Sequence, residues 1–257
     1  MLLFSEGEWR RPLSADDYRS IHIREQLGLR RGDTVRVGLM GQGRGRAILL
    51  TEPDPSQALI LRFPYHLTSV HFHPVHLVIG HPRPPVFARL VRDLSSLGVA
   101  RMSWIHTTLG EKSYLSSKMW RADLLEKQIR IGLEQGAHTV PPIIRKFYSL
   151  RHFMEEEKAA AQASKIVLQP PNDSEKRVQS LNSVLFRGGG TEQRNIIMAI
   201  GAERGWTAEE MRIMEDADFT KAHLGASILR TENSALIAAG MAMLSTCGRA
   251  DGLTASS

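Results

Sequence analysis

A single cysteine, Cys247, is the chain's whole supply of thiol, so no disulfide can close within it and a reducing compartment suits it. Long apolar runs are also missing: none approaches the ~20 residues of a membrane-spanning helix. The opening, MLLFSEGEWRRP, is acidic early and only briefly apolar, which matches neither a secretory signal nor a transit peptide. The cytoplasm is therefore the expected location. No internal repeat is visible. A metal-ligand set is lacking too: His71, His73 and His76 cluster, but no cysteine or carboxylate joins them at ligand spacing, so linker histidines and no metal are expected.

What the chain does have is enough apolar material for substantial cores, 42% over 257 residues, as one large domain or two modest ones. Its net charge of +6 and sequence pI near 9.7 favour an anionic partner such as nucleic acid.

Residues 1–72 read as a small β-rich domain. A helical piece over Ala15 to Leu27 leads through the turn Arg31-Gly32-Asp33 to an alternating strand, Thr34 to Gly38, with further strands at Ala47 to Thr51 and Ala58 to Phe63. Between the first two strands, Gly41-Gln42-Gly43-Arg44-Gly45-Arg46 looks like a dinucleotide loop. However, it leads into a strand rather than a helix, so a hairpin connection is expected. Its two arginines are either phosphate contacts or a solvated loop tip.

Proline-rich residues 64–85 mark the boundary, and residues 73–257 form the second domain. There strand and helix alternate as in an α/β domain with a largely parallel sheet. The expected strands are Val75 to Ile79, Val99 to Ile105 and Lys165 to Leu168; the expected helices are Val86 to Leu97, Leu124 to Leu133 and Tyr148 to Ala163. Asn172 to Gln193 looks irregular, with a flexible centre at Arg187-Gly188-Gly189-Gly190, and the tail from Gly248 is expected to fray.

The rest is organised around Asn195 to Leu244. An apolar strand, Ile196 to Ile200, breaks at Gly201, and a helix starts at Thr207 with the capping-box partner Glu210. A second glycine turn, His223 to Ser227, leads to a cap candidate, Asn233, and a helix so apolar that burial on all sides is expected. Two glycine-containing loops at strand ends suit a small ligand held by backbone groups.

The wording of those loops, Ile200-Gly201-Ala202-Glu203-Arg204-Gly205-Trp206 and then Leu224-Gly225-Ala226-Ser227-Ile228-Leu229-Arg230-Thr231-Glu232, resembles the paired signature of the RsmE family. These are S-adenosylmethionine-dependent methyltransferases of the SPOUT superfamily, which modify N3 of a uridine in small-subunit ribosomal RNA. Leu97-Gly98-Val99, Glu111-Lys112-Ser113-Tyr114, Glu134-Gln135 and the segment from His22 to Leu27 resemble further landmarks of that family.

The resemblance implies a PUA-like β-barrel docking RNA, then a deep trefoil knot that holds the cofactor. Cofactor contacts would come from Leu168, Gln169 and Pro170; from Ile200, Gly201, Ala202, Glu203 and Gly205; and from Leu224, Gly225, Ser227, Ile228 and Leu229. RNA contacts would fall to Arg24, Arg30, Arg31, Lys112 and Arg204. The family acts as a homodimer, and the helix Ala235 to Leu244 suits either that interface or a buried place within the chain. The substrate would be free ribosomal RNA or an assembled small subunit.

Methyl transfer from a sulfonium is an in-line displacement in which positioning dominates. Uridine N3 is largely protonated at neutral pH, so a base must take its proton or a cation must stabilise the anion. Arg230 is the candidate cation, and Glu203 or Glu232 the candidate base; a structural ion pair among them is the alternative. Where the family has Gly-Pro-Glu-Gly-Gly, this chain has Gly201-Ala202-Glu203-Arg204-Gly205, which loosens the loop and places a bulky side chain in it. That departure opens a second reading, a SPOUT-fold RNA-binding or ribosome-assembly protein that has lost cofactor binding.

Overall fold

Two sheets of unlike character divide the chain. The computed structural model describes residues 1–64, 66–68, 73–157, 163–170, 178–186 and 195–246. His71, Arg187 to Gly190, Cys247, the tail from Gly248 and the last residues but one of the helix expected over Tyr148 to Ala163 lie outside them.

The first sheet contains β1 (Leu2–Phe4), β2 (Thr34–Leu39), β3 (Gly43–Leu49) and β4 (Leu61–Arg62) in that spatial order. Helix α1 (Tyr18–Ile21), capped by Asp17 and continued by a π-helical turn His22–Gln26, packs Ile23 into a core with Leu2, Phe4, Val35, Val37 and Leu49. β1 was not anticipated, because three residues are too few to show alternation. β3 starts at Gly43, four residues before the expected Ala47: Arg44 and Arg46 point outward from a paired strand, and the hairpin turn shrinks to Met40–Gln42. Of the strand expected over Ala58 to Phe63, only β4 and a bridge between Leu59 and Leu13 form.

The second sheet is wholly parallel and runs β7-β6-β5-β10-β8-β11-β9. In chain order its parts are β5 (His73–Gly80), α2 (Pro84–Ser96), β6 (Val99–Ile105), α3 (Ala122–Gly136), β7 (Ile143–Phe147), α4 (Leu150–Glu156), β8 (Ser164–Leu168), β9 (Gln179–Ser180), α5 (Leu181–Leu185), β10 (Ile196–Ile200), α6 (Ala208–Asp216), β11 (Thr220–His223) and α7 (Thr231–Thr246). Helices cover both faces, so the central strands read as unbroken apolar runs. Val75, Leu77 and Ile79 of β5 and Ile196, Met198 and Ile200 of β10 face α2 and α7. Val78, Val167, Ile197 and Ala199 face α4 and α6.

Pro84 and Pro85 open α2, where their missing amides cost nothing, and Gly98 at φ +74° stops it. Ser149 caps α4, which ends at Glu156, well short of Ala163. The stretch expected to be irregular contains β9 and α5 in its described part, because Ser180 caps a short turn around buried Leu181. Asn233 is not the cap of α7: the helix starts at Thr231 and Asn233 lies inside its first turn. Nor is α7 buried all round. Ala235, Ala238, Ala239 and Ala242 are buried, whereas Ile237 and Leu244 are 43% and 70% exposed. The alanine stripe is the packed face, and the larger side chains lie off it.

Candidate active site

Ligand sites in parallel α/β sheets form beyond the C-terminal ends of the strands. Here β8, β10 and β11 end together around a cleft of about 510 Å³, within the ~300–1,000 Å³ usual for small-molecule sites. The end of β8 contributes Leu168, Gln169 and Pro170, and the Gln169 amide donates to the Ala222 carbonyl of β11 at 3.1 Å. The loop after β10 contributes Ile200 through Trp206, and the loop after β11 contributes Leu224, Ser227, Ile228 and Leu229.

The β10 loop closes tightly on itself. The Gly205 amide donates to the Ala202 carbonyl at 2.9 Å, and Gly205 takes φ +71°, a conformation that suits glycine. A Cβ on Gly201 would stand 2.8 Å from the Gly205 Cα. Arg204 takes no such conformation, since Ala137 and Asp218 are the non-glycine residues with positive φ among those described. Its side chain is exposed, so the bulk introduced there costs the loop no backbone strain.

Thr231, the first residue of α7, ties the two loops together: its hydroxyl donates to the Gly201 carbonyl at 3.0 Å. Below the loop, the capping box of α6 is complete. Glu210 accepts from the Thr207 amide at 2.8 Å, and its other oxygen accepts from the Thr108 amide at 2.8 Å. This buried carboxylate therefore fixes the start of α6 to the loop after β6.

Twelve of the thirteen residues expected at a cofactor line this cleft; Gly225 does not, and at φ +123° it shapes the turn instead. Of the candidate catalytic residues, Glu203 lines the cleft and is positioned by the Arg83 amide, which donates to it at 3.2 Å. Arg230 and Glu232 flank the cleft in sequence without contributing to its wall, and neither forms the alternative ion pair; Glu203 instead has Arg83 at 3.9 Å. Among the residues expected at RNA, Arg204 joins the cleft. Arg24 pairs with Glu25, Arg30 and Arg31 sit at the exposed turn before β2, and exposed Lys112 starts a 3₁₀ turn.

Trp206, Met211, Thr231 and Ser234 also line the cleft and were not singled out. Thr231 stood within the second loop's own wording; only its bond to Gly201 marks its part. Trp206 has its indole N–H buried without a partner among the described residues.

Beside Arg83 lies a packed aromatic group. His81 is stacked on Phe87 and accepts from the Trp120 indole at 2.9 Å, while its Nδ1 faces the Pro82 carbonyl at 2.9 Å. Burial outweighs that carbonyl and pushes His81 down to about 4, which keeps the ring neutral. His76 is buried in the sheet against Ser103 Oγ at 2.8 Å, and burial, helped by Arg101, holds it near 3. No group of three or more metal-ligating side chains occurs among the described residues.

Compared with known families and structures, residues 70–243 match the RNA methyltransferase domain model. The ribosomal RNA small subunit methyltransferase E of Treponema pallidum (strain Nichols) is 33% identical over 230 residues, covering 88% of this chain and 82% of that protein. Methyltransferase E 1 of Borreliella burgdorferi is 25% identical over 93% of this chain and 94% of its own length. In structure, the chain is similar to methyltransferase E of Neisseria gonorrhoeae, solved bound to S-adenosyl methionine, with a TM-score of 0.67 at 18% identity, covering 93% of this chain and 95% of that one.

Proposed function

Because the chain belongs to the ribosomal RNA small subunit methyltransferase E family, we propose that it transfers the methyl group of S-adenosylmethionine to N3 of a uridine in small-subunit ribosomal RNA. The observation that carries this reading is the cleft where β8, β10 and β11 end. Its wall combines the apolar faces of Leu168, Pro170, Ile200, Leu224 and Leu229 with polar groups from Gln169, Glu203, Ser227 and Ser234, a mixture suited to a nucleoside that also carries an amino acid. When bound, the cofactor supplies an electrophilic methyl group on sulfur.

The protein's part is to hold and to neutralise. The two loops, joined through Thr231 and Gly201, fix the ligand's position. Glu203, oriented by the Arg83 amide, is the base that takes the N3 proton. Arg204 and Arg230, both exposed and without an ion pair to a described residue, offset the negative charge of the ionised base and its phosphates. Residues 1–72 act as a PUA-like docking domain and residues 73–257 as the transferase domain. The insertion of β10 between β5 and β8, followed by the return of α7 to pack on β5, supports a knotted path for the chain. The exposed Ile237 and Leu244 of α7 and Ile228, 84% exposed at the cleft, support a homodimer whose interface covers them.

Primer extension tests the reaction. Small subunits from cells lacking their own N3-uridine methyltransferase are incubated with this protein and S-adenosylmethionine. Methylation at N3 removes a pairing edge and should halt the polymerase at one uridine. No cofactor-dependent stop, with a proven family enzyme succeeding alongside, would overturn the proposed activity.

A further inference from the structure

On the small domain, the outer face of the β2–β3–β4 ladder has a charge pattern that folding alone disfavours. Register places Arg36 directly opposite Arg46, Gly38 opposite Arg44 and Arg62 opposite Ile48. Residues opposite each other share a face, and so do alternate residues of one strand. Arg36, Arg44, Arg46 and Arg62 therefore project from the same side, and all four are exposed.

Like charges directly opposite in a ladder are destabilising. No aspartate or glutamate occupies a ladder position on this face, and none of the four arginines forms an ion pair with a described residue. Two other arginines of this domain are paired with carboxylates: Arg19 with Glu8 and Asp17, and Arg24 with Glu25. Two of the four are pre-positioned without losing charge. Arg46 donates to Thr34 Oγ1 through Nε and Nη2 at 3.0 and 2.6 Å, and Arg44 reaches the Ala137 carbonyl at 3.4 Å.

We infer that this four-arginine face binds the phosphate backbone of the substrate RNA, and that it, rather than the turn carrying Arg30 and Arg31, is the domain's main electrostatic anchor. The turn is partly compensated, since Asp33 and Glu52 accept the backbone amides of Arg30 and Arg31. The identity of the polyanion rests on the proposed function; the anion-binding character rests on the arginines alone.

Position adds a requirement. The inner end of the face meets the large domain at Thr139, against which Gly38 packs, close to His138 and Gly98 at the start of β6. The cleft lies at the opposite, C-terminal end of the strands. Eight residues of β5 separate the two ends, about 26 Å at 3.3 Å per residue. An RNA that engages both on one protomer must span that length, so a folded RNA fits and a lone nucleotide does not.

The test is the salt dependence of binding by the full chain to deproteinised small-subunit ribosomal RNA, comparing wild type with R36Q/R46Q. Each phosphate contact contributes about 0.7 to 0.9 to the slope of log affinity against log salt. The double variant should lose roughly 1.4 to 1.8 from that slope and bind about 25- to 60-fold more weakly at 0.1 M salt, converging with wild type near 1 M. S-adenosylmethionine affinity, read by calorimetry, should be unchanged, which shows the fold intact. Should the double variant not fold, R62Q alone should lower the slope by about 0.7 to 0.9. An unchanged slope and affinity with cofactor binding intact overturns the inference while leaving the enzyme standing. If the wild type fails to methylate but R36Q/R46Q still loses RNA affinity, the enzymatic reading falls and the arginine face stands.

Discussion

A methyl group added at Gly80 would stand 2.3 Å from the Ala202 amide nitrogen and 3.0 Å from its Cα and Cβ. Gly80 ends β5, and Ala202 belongs to the loop that walls the cleft. Real Cβ contacts essentially never fall below 3.0 Å, so in Gly80→Ala the loop must retreat by about 0.7 Å. The nearest two of these atoms are backbone and the third, the Ala202 Cβ, is fixed to them, which leaves no flexible side chain to absorb the shift. Overpacking of this kind costs about 1–3 kcal/mol, or roughly 2–12 °C in thermal midpoint for a chain of this size. A displacement near 1 Å in a positioning element can cost 100-fold in rate, so methyl transfer should fall roughly 10- to 100-fold, with weaker cofactor binding. Calorimetric titration with S-adenosylmethionine and single-turnover transfer would measure both. Gly98→Ala is the control: it is strained at φ +74° and crowded by His138 at 2.5 Å, but at the other end of the sheet. It should lower the midpoint and leave cofactor affinity alone. Wild-type affinity and rate in Gly80→Ala would refute the coupling of β5 to the cleft.

Three further outcomes follow from the same geometry. Thr231→Val keeps the shape but leaves the Gly201 carbonyl without its donor, so stability should drop about 1–3 kcal/mol in urea unfolding and cofactor affinity should weaken with it; no change in either would dismiss the bond as incidental. Glu210→Ala strips the partner from the Thr207 and Thr108 amides together, and should shift the urea midpoint by about 1–3 kcal/mol with an unaltered slope. His76 and His81 are held near 3 and 4, below the ~6.5 of an unfolded chain, so unfolding takes up protons as pH falls. Their contribution is present in full above pH ~6.5 and is lost as acidity passes through the folded values; a flat stability profile from pH 6 to 4 would contradict it.

Sequence reading reached the cleft but not all of its architecture, for physical reasons. Strands buried on both faces, such as Ile196–Ile200, announce themselves as apolar runs, and Thr207 with Glu210 announces a helix start. β7 carries Ile143-Ile144-Arg145-Lys146-Phe147 at the sheet edge, with one buried residue, and gives no such signal. β11 is four residues, Thr220–His223, defined by its pairing with β8 rather than by its composition. Asn233 has the chemistry of a cap, yet the tie between Thr231 and Gly201 starts the helix earlier; a contact across 30 residues cannot be read from local preference. The doubt attached to Arg204 has the same origin. A sequence cannot say which loop residue takes positive φ, and here it is Gly205.

The place of β10 in the sheet also sets a timetable. Its partners are β5, made 121 residues earlier since Ile196 pairs with Val75, and β8, and α7 then packs against β5 from beyond it. A chain emerging from synthesis thus carries β5 with one edge unpaired until residue 200 exists, and the apolar flank that α7 will cover stays bare for longer still. Contacts so distant in sequence make folding slow and expose aggregation-prone surface meanwhile. The cleft cannot be assembled piecemeal: its three strand ends, at Leu168, Ile200 and His223, are all present only once residue 223 has been made, so the ability to hold a ligand comes late in folding.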